Sequence, residues 1–227
     1  MFVCKWDHSI GTNINQNHQN LRHAVAVNSK GHVFVTQPEQ LCVQVYSETG
    51  KLLTTLSDKH MCLPEAVAVT HALEGSHLDL VFVLDSGDCS ILKFHILANH
   101  SAEMLCRIRC NVFQMPSGLA CYRNRIYVTD AEANQLHILT DDGAIIKSIG
   151  SSGAQRGQFS MPSAVAISAK RGEVFVCDTG NDRIQVFDYN GEYIRSFGSS
   201  GSSNGNFQHP TGVTVSDTLD VVAVADQ

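Results

Sequence analysis

No run of about 18 apolar residues, the length needed to cross a bilayer, occurs in the 227 residues of this chain. Met1 to Gly11 (MFVCKWDHSIG) also lacks the apolar core of a signal peptide, so a cytoplasmic protein without membrane contact is expected. Positive charge is scarce. Lys plus Arg number 16 against 22 Asp plus Glu, a formal balance of -6, which removes the bulk field that draws in DNA or anionic lipid. Cys-x-x-Cys is missing among the eight cysteines, and the closest pair, Cys106 and Cys110, has no His or second Cys pair at zinc-finger spacing. A structural zinc and a secreted disulfide framework are both set aside, and free buried thiols are expected. A sustained 3.6-residue apolar period is absent too, which argues against helices. What remains is ordinary core-forming material: 43% hydrophobic residues, enough for one globular domain.

That material repeats. A small residue followed by alternating apolar positions recurs at Ala24-Val25-Ala26-Val27, Ala66-Val67-Ala68-Val69, Gly118-Leu119-Ala120-Cys121, Ala164-Val165-Ala166-Ile167 and Gly212-Val213-Thr214-Val215. Pro64, Pro116, Pro162 and Pro210 precede four of the five. The small residues stand 42, 52, 46 and 48 positions apart, the period of propeller blades. Each unit continues with a second apolar run, such as Val81-Phe82-Val83 or Val174-Phe175-Val176, leading to Asp85, Asp130, Asp178 and Asp226. Third runs (Val43 to Tyr46, Ile184 to Phe187) and fourth runs (Tyr193 to Phe197) follow polar Gly, Asn and Asp turns. Four short alternating strands per unit predict antiparallel meanders, and hence an all-β propeller.

The expected units are 21–59, 60–110, 111–153 and 154–201, with partial ones at about 2–20 and 202–227. Phe2 to Gly11 reads as a fourth strand of an earlier blade, and the last unit stops before a third strand. The expectation is an incomplete propeller whose full domain has five or six blades.

Gly157-Gln158-Phe159-x-x-Pro162, then Val174-Phe175-Val176-Cys177-Asp178-Thr179-Gly180-Asn181-Asp182-Arg183-Ile184-Gln185-Val186-Phe187 and Asn190-Gly191, resemble an NHL repeat. Gly205-Asn206-Phe207-x-x-Pro210 opens the next unit in the same style, while Gln37, Cys42 and Ser90 depart from the pattern in the first two units. The stretch Val128 to Leu139 is similar to the C-terminal domains of tripartite-motif (TRIM) ubiquitin ligases and of malin. The resemblance implies a non-catalytic platform that recruits a protein, the substrate-recognition part of such a ligase, with RNA as an alternative partner. No RING can be built from these cysteines, so ligase chemistry would lie elsewhere. A metal-dependent lyase, as in amidating NHL-like propellers, is a remote third reading. His23, His60 and His209 precede first strands but at unequal offsets, so no ring of metal ligands is expected and no cofactor is called for.

Asp178 with Arg183, five residues on, reads as a turn-fixing pair, recurring as Asp130 with Gln135 where no salt bridge is possible. Binding is expected on the face formed by loops from fourth to first strands and from second to third strands: Thr12 to Asn20, Ala131 to Asn134, Ser151 to Gln158, Thr179 to Asp182 and Ser199 to Asn206. These loops are polar, amide-rich and expected to be flexible. Arg22, Asn134, Arg156, Gln158, Asn181, Asn206 and His209 are the candidate contact residues.

Overall fold

The computed structural model describes residues 24–70 and 79–227; Phe2 to Gly11, Arg22, His23 and the insertion at Ala72 to His77 lie outside the described residues. β-branched and aromatic residues alternating with small or polar ones favour pleated strands, and Gly, Asn and Asp punctuate them. The first sheet holds β1 (Val25–Val27), β2 (Val33–Gln37), β3 (Cys42–Tyr46) and β4 (Leu52–Leu56). The second holds β5 (Pro64–Thr70), β6 (Asp79–Asp85), β7 (Ser90–Ile96) and β8 (Ala102–Arg109). In the third are β9 (Pro116–Tyr122), β10 (Arg125–Asp130), β11 (Gln135–Thr140) and β12 (Ile145–Ile149). The fourth contains β13 (Pro162–Ser168), β14 (Glu173–Asp178), β15 (Arg183–Asp188) and β16 (Tyr193–Phe197), and β17 (Gly212–Ser216) pairs with β18 (Val221–Ala225) in a two-stranded fifth.

Neighbours in each four-stranded sheet are consecutive in sequence and antiparallel, so the chain forms four meander blades in a propeller arrangement. No helix among the described residues is long and apolar enough to cross a membrane. The core lies between sheets. Phe34, Val43 and Val45 of the first pack on Val81, Val83 and Leu92 of the second. Phe82, Leu84 and Ile91 meet Ile126, Val128 and Leu139 of the third, whose Tyr127, Leu136 and Ile138 meet Val174, Val176 and Phe187 of the fourth. Strands buried on both faces by neighbouring blades read as nearly continuous apolar runs, as Asp79–Asp85 does.

Proline explains where the first strands begin. It has no N–H to donate and fixes φ, so it suits the first residue of a strand. Pro64, Pro116 and Pro162 each occupy that position, on β5, β9 and β13. These inner strands surround a channel of about 600 Å³ lined by Glu65, Ser117, Gly118, Ser163, Thr211 and Gly212 among other small residues. Small side chains let blades approach closely there, and hydroxyls stitch them together. Ser117 Oγ donates to the Pro162 carbonyl at 2.9 Å and Thr129 Oγ1 to the Ser163 carbonyl at 2.9 Å. One blade on, Thr179 Oγ1 donates to the Pro210 carbonyl at 2.8 Å and Ser163 Oγ to the Thr211 carbonyl at 3.3 Å.

The thiols divide. Cys42 and Cys177 are buried, and burial pushes the Cys177 thiol up to about 12. Cys62 and Cys106 are exposed, which departs from the expectation of buried thiols throughout. Both stand where neighbouring chain leaves one side of the residue open, Cys62 in the loop before β5 and Cys106 on the outer strand β8.

Gly118 marks a tight seam against the backbone of the next blade. A Cβ there would collide with the Ser163 carbonyl oxygen and stand 2.6 Å from Thr129 Oγ1 and 3.0 Å from Ala164 Cα. Gly118→Ala is expected to lower stability by about 1–3 kcal/mol through overpacking, read as a lower urea midpoint with unchanged denaturant dependence.

Candidate functional site

An aspartate closes or follows every second strand from β6 onward, and Asp85, Asp130 and Asp178 are fully buried. A buried carboxylate costs several kcal/mol unless charged partners and N–H donors surround it. Here the donors come mostly from the loop entering the same sheet's first strand. Asp85 accepts the N–H groups of Cys62 at 3.0 Å and Leu63 at 2.7 Å. Asp130 accepts those of Gln114 at 2.7 Å and Met115 at 3.0 Å, and of Ala133 in its own turn at 3.0 Å. Asp178 accepts from Ser160 N at 2.7 Å, and Asp226 from Gln208 N at 2.7 Å. The carboxylate thus ties the incoming loop to the turn between second and third strands, the two kinds of loop that form the expected binding face.

The counter-charge varies between blades. In the fourth sheet Arg183 Nε donates to Asp178 at 2.7 Å, joined by Asn181 Nδ2 at 2.9 Å and Gln185 Nε2 at 3.0 Å. In the second, Ser90 occupies the place of Arg183, and Arg107 reaches in from the outer strand to Asp85 at 3.3 Å, Asp88 at 2.6 Å and Asp58 at 2.7 Å. That contact holds the Asp58 carboxyl below the usual carboxylate range. In the third, Gln135 turns away and donates to the Gly150 carbonyl at 3.3 Å. The side chain facing Asp130 is instead His137, at the place of Gln185, with Nε2 3.8 Å from the carboxylate and Nδ1 2.8 Å from Ser148 Oγ. Burial pushes the Asp130 carboxyl up, but the facing imidazole and three backbone N–H donors outweigh it and bring it down to about 2.

The same turns carry left-handed residues. Leu41, Cys89, Asn134 and Asp182 occupy equivalent places with φ between 47° and 54°. Asn134 Oδ1 accepts the Met161 N–H at 2.9 Å and Asp182 Oδ1 the His209 N–H at 2.7 Å, each reaching to the next blade. Asn and Asp suit this position because a short polar side chain tolerates positive φ and caps a nearby N–H.

Most of the candidate amides are therefore engaged within the fold. Asn134 caps Met161, Gln158 Oε1 accepts the Gln155 N–H at 3.1 Å, Asn181 donates to the Gly153 carbonyl at 2.9 Å, and Asn206 Oδ1 accepts from Ser199 Oγ at 3.0 Å. The loops themselves are closed by hydrogen bonds where flexibility was expected: Phe159 N–H to Ser151 O at 2.9 Å and Gly153 N–H to Phe159 O at 3.0 Å, repeated at Phe207. Arg156 and His209 remain as exposed side chains on this face, with Arg156 6.0 Å from the Tyr193 ring centre. Arg22 lies outside the described residues.

Sequence reasoning missed the residues that do stand out. Met115 and Met161, directly before Pro116 and Pro162, are 43% and 56% exposed, with Val112 nearby in sequence at 41%. They share with His209 the step before proline at the entrance of a first strand, so they mark the rim of the channel. The signal was present in the spacing to proline, but methionine next to an apolar strand reads as core.

Chemically the rim offers soft apolar side chains, amides and few free charges. Hydroxyls of Ser117 and Ser163 near the channel are committed to carbonyls of the next blade. Among the described residues no group of three or more His, Cys, Asp or Glu is arranged to hold a metal ion.

The family comparison adds one assignment. Residues 159–187 match the NHL repeat. The chain is thus an all-β propeller that carries an NHL repeat, with four antiparallel four-stranded blades among the described residues. Among solved structures it is similar to virginiamycin B lyase from Staphylococcus aureus, at 19% identity over 90% of this chain and 62% of that one, with a TM-score of 0.61. A chain of a nidogen/laminin complex is similar at 17% identity, 89% and 71% coverage and a TM-score of 0.65, and streptogramin B lyase at 15% identity, 90% and 68% coverage and 0.60. These likenesses show the fold. The chain spans less than two thirds of the length of the Staphylococcus aureus lyase. No curated protein matches it.

Because the Asp130 carboxyl is depressed in this propeller, its contribution to stability is present above the unfolded-state value near 4 and lost as pH falls towards 2. Asp130→Asn is expected to cost about 2 kcal/mol at neutral pH, with the gap to the parent closing by about pH 2. Urea unfolding midpoints of both proteins across that range measure it.

Proposed function

We propose that this NHL propeller is a non-catalytic platform whose channel rim recruits a protein partner, as the substrate-recognition part of a TRIM-NHL or malin-like ubiquitin ligase of the cytoplasm. The units from 21 to 227 would serve as blades of a domain completed to five or six. The observation that carries this reading is the pair Met115 and Met161, exposed at equivalent places before Pro116 and Pro162 on a scaffold fixed by buried carboxylates. Methionine is flexible and polarisable, and it recurs on surfaces that adapt to protein partners. A nidogen/laminin complex among the similar structures is in keeping with such a role for the fold.

Single-stranded RNA would call for unpaired cations tracking phosphates beside free aromatic faces. On this face Arg107 is bound to three aspartates and Arg183 to Asp178, which leaves Arg156 as a free guanidinium among the described residues there. A lyase would need a reactive constellation, and the rim supplies amides and thioethers.

The test is retention of protein partners by the immobilised propeller, set against retention of a random single-stranded RNA pool over a salt series. The double variant Met115→Ser, Met161→Ser is expected to lose partner retention by tenfold or more while keeping its unfolding midpoint. RNA retention that falls steeply with salt and ignores the methionines would replace this reading with RNA recruitment.

A further inference from the structure

The opposite end of the third and fourth blades holds a second, differently built site. The β9–β10 hairpin turns through Arg123 and Asn124, and the β15–β16 turn passes beside it through Tyr189 and Asn190. Between them lies a cavity of about 690 Å³, lined by Tyr122, Arg123, Arg125, Thr140, Ile146 and Tyr189 among others. Its wall is fixed. The Tyr122 and Tyr189 rings stack 4.7 Å apart at 27°, Tyr189 OH donates to the Ser168 carbonyl at 2.9 Å, and Tyr127 OH donates to the Tyr189 carbonyl at 3.0 Å. Arg125 Nη1 is held at 2.8 Å by the Tyr189 carbonyl and at 3.0 Å by Asn190 Oδ1. Arg123 stands over the Tyr122 ring, 5.2 Å from its centre.

The charge pattern is the unusual part. Arg107, Arg109, Arg171, Arg183 and Arg195 all lie within 4 Å of a carboxylate. Arg123 and Arg125 have none among the described residues, although the chain is acidic overall. Nearby acids are turned to other tasks: Asp141 pairs with Lys93 at 2.9 Å, Asp142 accepts from the Thr140 hydroxyl, and Asp188 accepts the N–H groups of Asn190 at 2.8 Å and Glu192 at 2.9 Å. Arg123 also keeps a positive φ of 53°, where glycine would sit without strain. The hairpin thus holds a costly conformation and two guanidinium groups on one cavity with no carboxylate partner among the described residues.

We propose that Arg123 and Arg125 form an oxyanion site for a phosphorylated side chain of a protein partner. Two guanidinium groups match the charge of about -2 on a phosphate monoester, and the planar fork of each suits its oxygens. Tyr122 and Ile146 supply an apolar wall for the residue carrying the phosphate. A stacked nucleobase is disfavoured because the Tyr122 ring is already stacked on Tyr189 and carries Arg123 over it. The site stands apart from the channel rim, and its presence does not depend on the rim's role.

The test uses the full chain and four probes: a degenerate pool of phosphoserine, phosphothreonine and phosphotyrosine peptides, the same pool unphosphorylated, inorganic phosphate, and a random single-stranded oligoribonucleotide. The phosphorylated pool is expected to bind about tenfold more tightly than its unphosphorylated counterpart. Arg123→Gln should remove that preference, whereas Lys51→Gln, at a distant turn, should preserve it. Arg123 donates no hydrogen bond among the described residues and touches the Tyr122 ring only from above, so thermal unfolding of this variant should stay within a few degrees of the parent. Arg123→Lys, which keeps charge and loses the fork, should bind at an intermediate level. Equal binding of the two peptide pools overturns the proposal, as does a preference that survives Arg123→Gln. Inorganic phosphate binding as tightly as the phosphopeptides would overturn the peptide source, and oligoribonucleotide binding lost on Arg123→Gln would replace it with nucleic acid.

Discussion

A buried carboxylate cannot be left without partners, and this constraint organises the propeller. Asp85, Asp130 and Asp178 each sit without solvent exposure at the end of a second strand. Their lone pairs are filled by backbone N–H groups of residues immediately before a first strand, so the strand order of the blade and the path of the incoming loop are fixed by one group. The side chain that completes each clamp is interchangeable in origin. Arg183 comes from the third strand, Arg107 from the fourth, and His137 from the middle of the third. What is preserved across blades is the geometry of acceptance, while the donors beyond the backbone differ.

A second layer of order follows from the way blades pack. Apolar side chains on neighbouring sheets interlock, and near the strand ends Ser and Thr donate to carbonyls of the next blade. The carboxylate clamp acts within a blade, whereas Asn134 and Asp182 carry the register to the following one through Met161 and His209. The backbone at the rim is therefore held from both sides. Exposed side chains at Met115 and Met161 stand on a rigid base, the arrangement that lowers the ordering cost of binding.

Much of the fold was legible in the sequence because blade repetition shows twice: in the small residue that begins each inner strand and in the proline before it. The fourth strand of the fourth sheet, Tyr193–Phe197, coincides with the run read from alternation alone. The aspartates were legible as turn residues, and their donors were not. Those donors are main-chain N–H groups 15 to 23 positions away, which carry no side-chain signature. The amides singled out as contact residues also serve the fold, which the sequence did not show for a related reason. Asn and Gln in a turn look identical in sequence whether they face a partner or cap a backbone group, and here the turns needed them.

Net charge was the weakest guide of all, since it counts arginines without regard to where their partners lie. Five described arginines are consumed by carboxylates brought close by the fold, and Arg107 alone engages three. Arg125 meets a carbonyl 64 positions later in the chain, and Arg123 a ring that itself stacks on the residue carrying that carbonyl. An acidic chain can in this way present a cationic pocket, because Asp85, Asp130 and Asp178 are spent on the clamps and Asp141, Asp142 and Asp188 on other partners, while Arg123 and Arg125 meet no carboxylate among the described residues. The two ends of the propeller acquire different chemistry from the same repeat: exposed thioethers at the rim, paired arginines beside stacked tyrosines at the seam below the third and fourth blades.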